Sequence, residues 1–208
     1  MDLNQKAQWH LDFNGGMVPI LETPAGDLIK ESGVIAMFAH DQGKDHGFDL
    51  FPKDPIQAAK LRVEIENSSK YLSPLFAVMM SRGEDQEKNK KVVETVEGFS
   101  ALLAKANGKF LFGTDEPTML DVYYAPFLEI LCSWKAPSVM ENILEDCEFH
   151  TKGALIESYV EKWRSHELIK PWKMSERASI AHWARTRGWE KGVKCQLTVE
   201  YLNDAFDE

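Results

Sequence analysis

The chain has 208 residues, 44% of them hydrophobic, and a formal net charge of −9. It holds enough apolar material for a core in one large or two small domains, while the acidic balance, with no Lys/Arg block, removes the main driving force for coating a nucleic-acid backbone. No apolar run approaches a membrane span, and the start MDLNQKAQWH lacks the basic and apolar stretches of a secretory signal, so a cytoplasmic protein with no nucleic-acid partner and no membrane insertion is expected.

In chain order, Met17 to Ser32, MVPILETPAGDLIKES, reads as a strand, a turn, a second strand and a helix start. That is a ligand-binding layout. Val18, Ile20 and Leu21 favour a strand, with Pro19 tolerated only at its start or edge because it has no N–H to donate. Thr23 to Asp27, containing Pro24 and Gly26, carries turn chemistry, and Leu28-Ile29 makes a short second strand. Ser32 stands where an N-cap belongs ahead of Gly33 to Ala39, so its hydroxyl and the nearby amides face an incoming anion. Taken alone, a Glu-Ser pair such as Glu31-Ser32 is far more often a plain helix cap beside a solvated strand end than a ligand site. His40, Asp41, Asp45 and His46 are metal-ligating types, but their spacing matches no standard motif and no metal is expected.

Near residue 50 the short β-like pieces give way to long stretches of helical period. Phe51 to Pro55, with two prolines, reads as a linker, giving an N-terminal domain at 1–43, a linker at 44–55 and an all-helical domain at 56–208. Leu61, Ile65, Leu72, Phe76 and Met79 share one face, with Ser68 in the missing place, and predict one long helix. Val92, Val96, Phe99, Leu103 and Ala106 predict a second, closed by Asn107-Gly108. Thr118 is the expected N-cap of a third, with Asp121 completing the capping-box spacing and Leu120, Tyr124, Phe127 and Leu131 on its buried face. Pro126 should bend that helix or cost it a hydrogen bond. Leu155, Ile156, Tyr159, Val160 and Trp163 mark another helix, and Thr198 to Phe206 a last one. The cysteines, Cys132, Cys147 and Cys195, are an odd, widely spaced set, expected as free thiols.

The Val18-Pro19 strand start, the hairpin and the Glu31-Ser32 pair, in this order, resemble the thioredoxin-like domain of the glutathione transferases. Asn4 to Trp9, followed by Asn14 to Pro19, is similar to the omega-class version. Phe51-Pro52 and Asp54-Pro55 fall where that family's interdomain linker lies, and Gly113 to Asp121 resembles its Ser/Thr-x-x-Asp helix start. The resemblance runs from Met1 to about residue 135. It implies a predominantly α protein, in which an α+β remnant of a thioredoxin-like domain precedes the all-α glutathione-transferase domain. It also implies glutathione as substrate: Val18, ahead of a cis Pro19, pairing with the cysteinyl backbone, Ser32 and Glu31 receiving the γ-glutamyl end, and Lys6 facing the glycine carboxylate. Thr118 and Asp121 are implied as structural residues, and a homodimer as the usual assembly.

The family's sulfur-handling Cys, Ser or Tyr lies after the first strand, at a helix start where amides stabilise a thiolate. Met1-Asp2-Leu3 resembles the end of the second strand. A leading βα unit and most of that strand, roughly 30 residues, are therefore expected to be absent, and no catalytic residue is assigned within this sequence. The loss would leave a central sheet edge unpaired, to be covered by an upstream segment or by another subunit, or left bare in a shortened relative. Two readings follow: a transferase performing thiol transfer, dehydroascorbate reduction or conjugation, or a non-catalytic interaction or assembly module of the same fold. Trp163, Trp172, Trp183 and Trp189, with Tyr159, suit a wall for a hydrophobic co-substrate and suit core packing or a subunit interface equally well.

Overall fold

Short β-like segments followed by long runs of helical period produce two units of different character, residues 1–52 and 53–208. The computed structural model describes residues 6–43, 45, 47–81, 85–134 and 141–171. The helix expected at 198–206, His46, Cys195 and three of the tryptophans, Trp172, Trp183 and Trp189, lie outside the described residues.

In the first unit, α1 (Gln8–Asn14) leads into β1 (Ile20–Glu22), β2 (Leu28–Lys30) and α2 (Ser32–Gly43). α1 has no counterpart among the elements expected from the sequence. It ends because Gly15 adopts the left-handed conformation, φ 56°, and donates its N–H to the Leu11 carbonyl at 2.8 Å. The expected hairpin is present, its strands antiparallel with Ile20 opposite Lys30, Leu21 opposite Ile29 and Glu22 opposite Leu28. Its turn closes through the Thr23 N–H on the Asp27 carbonyl and the Gly26 N–H on the Thr23 carbonyl, both 2.9 Å, with Gly26 supplying the positive φ of 89°. Lys30 lies 5.7 Å from the Phe13 ring centre, a cation–π contact that ties β2 to α1.

The second unit contains α3 (Pro55–Glu66), α4 (Ser69–Ser81), α5 (Gln86–Ala106), α6 (Met119–Ser133), α7 (Glu141–Asp146), α8 (Phe149–Lys152) and α9 (Ala154–Ser165). The single long helix predicted through Leu61 and Met79 is instead two. Asn67 caps α3, and the Ser68 carbonyl starts α4 by accepting the Leu72 N–H at 3.0 Å. Asn and Ser offer the backbone local alternatives to helix bonding, and the break changes the phase of the apolar face. Leu72, Leu75, Val78 and Met79 point inward, while Phe76 is 45% exposed. On α5, Val92, Val96, Phe99, Leu103 and Ala106 are all buried, and Asn107 (φ 50°) and Gly108 (φ 78°) close the helix as expected. Tyr71, Phe99 and Tyr124 form an aromatic triangle with centroids 5.0 to 6.1 Å apart. The Tyr71 ring stands where a side chain at position 98 would project, so glycine there lets α4 and α5 pack closely. Pro126 is accommodated on the exposed side of α6.

At the start of α6 the predicted capping box forms. Asp121 is fully buried, and its carboxylate accepts the Thr118 N–H and hydroxyl, both at 2.8 Å, the Leu111 N–H at 2.9 Å and the Tyr159 hydroxyl at 2.8 Å. One side chain thus caps α6, anchors the preceding loop and holds α9. Asp121→Ala, which strands four buried donors, is expected to lower the stability of the chain by about 3–5 kcal/mol, read as a lower urea midpoint; a loss below about 1 kcal/mol would show that the network contributes little.

Candidate functional site

Antiparallel pairing places Val18-Pro19, just before β1, and Glu31-Ser32, just after β2, at the same end of the hairpin. The two pairs lie thirteen positions apart in sequence and are brought together by the turn. The Val18–Pro19 peptide is cis. Val18 is 54% exposed, and among the described residues neither its N–H nor its C=O meets a protein partner.

The segment ahead of Val18 is tightly held. The Met17 carbonyl accepts from His10 Nε2 at 2.7 Å and from Asn14 Nδ2 at 3.0 Å, and the Met17 N–H donates to the Asn14 carbonyl at 2.9 Å. Gly15 and Gly16, at φ 56° and 74°, carry the reversal that makes this possible. Lys6 lies over that turn: a β-carbon at Gly16 would stand 2.8 Å from Lys6 Cδ and 3.4 Å from its Nζ. Its ammonium is thereby close to the backbone that leads into Val18. A cavity of about 370 Å³ lies beside this segment, lined by Trp9, His10, Val18, Pro19, Ile20, Glu22 and Leu28. Val18 and Pro19 border it, whereas Glu31, Ser32 and Lys6 do not. His10 and Asn14 were missed as site residues, although a polar pair at i and i+4 on a short helix ahead of Gly-Gly is a readable signal.

Ser32 differs from expectation by one position. It is the first residue of α2, and Glu31 takes the cap position, its carbonyl accepting the Ile35 N–H at 2.9 Å. Glu31 has φ 71°, a left-handed conformation that a non-glycine residue adopts at a cost of about 1–3 kcal/mol and that clusters at ligand sites. Among the described residues no protein acceptor meets the amides of Ser32, Gly33 and Val34, so these N–H groups and the positive end of the helix dipole stand open to an anion.

The other candidates resolve into structure. His40 pairs with Asp49 at 3.5 Å and packs against Phe51, and among the described residues no group of three His, Cys, Asp or Glu side chains could hold a metal. Trp163 is buried, its Nε1 donating to Glu129 at 2.8 Å beside the Arg164–Glu129 ion pair, which joins α9 to α6. Tyr159 is engaged with Asp121, and burial, then the carboxylate, push its hydroxyl well above the ordinary range.

No family model matches the chain. It is 29% identical over 154 residues to glutathione S-transferase omega-1 of Mus musculus, covering 73% of this chain and 59% of the relative. It is 30% identical over 135 residues to the protein of the same name from Sus scrofa, covering 63% and 54%. The chain thus spans a little over half the length of these curated relatives. Among solved structures it superposes on Leishmania TDR1, described as a unique trimeric glutathione transferase, with a TM-score of 0.70 at 20% identity, over 90% of this chain and 41% of that one. It also superposes on glutathione transferase Omega 3C of Trametes versicolor with a TM-score of 0.60 at 20% identity, over 91% and 79%. The fold is that of a glutathione transferase, with part of a thioredoxin-like unit followed by a helical one.

The described cysteines are far from the hairpin in sequence. Cys132 is half-buried on α6. Cys147 is wholly buried in the turn between Asp146 and Glu148 after α7, and burial pushes its thiol up to about 11. A thiol so placed carries almost no thiolate at neutral pH. Cys147 in the native protein is expected to resist iodoacetamide at pH 8 and to be alkylated within minutes in denaturant, as read by peptide mass spectrometry; rapid native labelling would contradict its buried placement.

Proposed function

We propose that this chain, an omega-like member of the glutathione transferase superfamily, binds glutathione at the open end of its N-terminal hairpin. The observation that carries the reading is the backbone of Val18, an exposed residue whose N–H and C=O meet no protein partner among the described residues, set at the same end of the hairpin as the open amides that begin α2. A peptide thiol that pairs antiparallel with Val18 supplies what that backbone lacks, in the manner of a strand adding to a sheet edge. Its γ-glutamyl carboxylate meets the Ser32 hydroxyl and the α2 amides, and its ammonium meets Glu31. Lys6, over the Gly15-Gly16 turn, faces the glycine carboxylate.

The activity proposed is glutathione-dependent thiol transfer, dehydroascorbate reduction or conjugation, with a hydrophobic co-substrate where conjugation is the reaction. The sulfur-activating group is not assigned to any described residue, since Cys147 is buried and remains protonated. The reading also sets the protein in the cytoplasm, as a homodimer or with another subunit along the edge of β1 that, among the described residues, no strand pairs. Among the described residues no helix is long and apolar enough to cross a membrane.

Calorimetric titration with reduced glutathione tests the binding step. Ser32→Ala is expected to weaken affinity about tenfold, one hydrogen bond to a charged group. Val18→Ala is expected to change it less than about threefold, because the pairing uses main-chain atoms. Saturable binding that is indifferent to Ser32→Ala, or no binding at millimolar glutathione, would sink the assignment.

A further inference from the structure

We propose that His10 is a positioning residue that sets how the Val18 backbone is presented to glutathione, a role that rests on the binding reading above. The Met17 carbonyl and the Val18 N–H belong to one planar trans peptide, in which C=O and N–H point in opposite directions. A bond that holds the carbonyl on one side therefore aims the amide to the other. His10 Nε2, at 2.7 Å, and Asn14 Nδ2, at 3.0 Å, both donate to that carbonyl, and among the described residues the Val18 N–H on the opposite side of the plane has no partner.

The histidine is an unusual choice for this place. It is fully buried in a seven-residue helix, where an aromatic hydrocarbon of similar size would fill the space with no polar atom to satisfy. Since a carbonyl only accepts, the ring nitrogen that faces it, Nε2, carries a proton, and Nδ1 is the nitrogen left over. Among the described residues that buried Nδ1 has no partner, which costs free energy. What the imidazole adds in return is the Nε2 donor on Met17. Asn14 contributes the second donor and also accepts the Met17 N–H, so a single peptide is held from two sides while Gly15 and Gly16 supply the reversal.

The test compares His10→Phe, which keeps a ring and loses the donor, with His10→Gln, whose amide N–H reaches the Nε2 position. Glutathione affinity is measured by calorimetry and the Val18 amide resonance by ¹⁵N–¹H NMR. His10→Phe is expected to weaken binding about tenfold and shift the Val18 resonance, and His10→Gln to restore both, with affinity within about threefold of the parent. Parent-like affinity and an unmoved Val18 resonance in His10→Phe would overturn the proposal. If the parent itself does not bind glutathione, the binding reading fails separately, and the resonance decides the orienting role: shifted in His10→Phe and restored in His10→Gln upholds it, unmoved in both ends it. Should His10→Phe not fold, Asn14→Ala, which removes the other donor to the same carbonyl, carries the comparison, with a shifted Val18 resonance expected and an unmoved one overturning the clamp.

Discussion

The buried carboxylate of Asp121 is the contact on which the helical unit depends. Two oxygens collect four donors, from the Thr118 backbone and hydroxyl, the Leu111 backbone and the Tyr159 hydroxyl. An isolated buried carboxylate is costly, and only a full set of short bonds makes it tolerable. Here the set spans the loop after α5, the first turn of α6 and the middle of α9, so the elements must arrive together for the charge to be accommodated. Around it the same loop is held again: Phe110 lies under the Lys162 ammonium at 4.2 Å and edge-on to His166 at 5.5 Å, and Lys162 donates to the Gly108 carbonyl at 2.9 Å. Polar geometry specifies the arrangement that Val96, Phe99 and Leu131 then fill.

In the N-terminal unit the problem is the reverse one, of leaving polar groups exposed in a fixed direction. Hydrogen bonds converge on Met17, and among the described residues the backbone of the next residue, Val18, meets no protein partner. Glu31 does the matching work on the neighbouring strand, where its left-handed backbone turns the chain sharply from β2 into α2. At Glu31 local conformational cost is concentrated beside N–H groups that meet no partner among the described residues, a distribution typical of binding surfaces.

Much of this was legible because it is local. The hairpin follows from Pro24, Gly26 and two short apolar runs, and the capping box from Thr118 and Asp121 three residues apart. The face of α5 follows from spacing alone. What escaped depends on partners distant in sequence or on a change of phase. Ser68 filled a gap in an apolar stripe, and nothing in that stripe distinguishes one helix from two with a turn at Asn67-Ser68. Tyr159 joins Asp121 across 38 positions, a pairing no local pattern announces. His10 and Asn14 became site residues only with α1 in place, since it is the return of Met17 onto that helix that puts their donors to use.

Charge sets a final constraint on the site. Glutathione carries carboxylates at both ends, and a chain of formal charge −9 offers it no long-range attraction. At physiological ionic strength, however, exposed charges beyond about 8 Å are largely screened. On the proposed binding reading, recognition is then decided by what lies within a few ångströms: the helix-start amides, the Ser32 hydroxyl, the Lys6 ammonium and the Val18 peptide. Oriented amides suit this better than a cluster of basic side chains, because they present partial positive charge without side-chain entropy to lose and leave the surface acidic elsewhere. An anionic ligand and an acidic protein are compatible for that reason, provided the peptide planes are held in place before the ligand arrives.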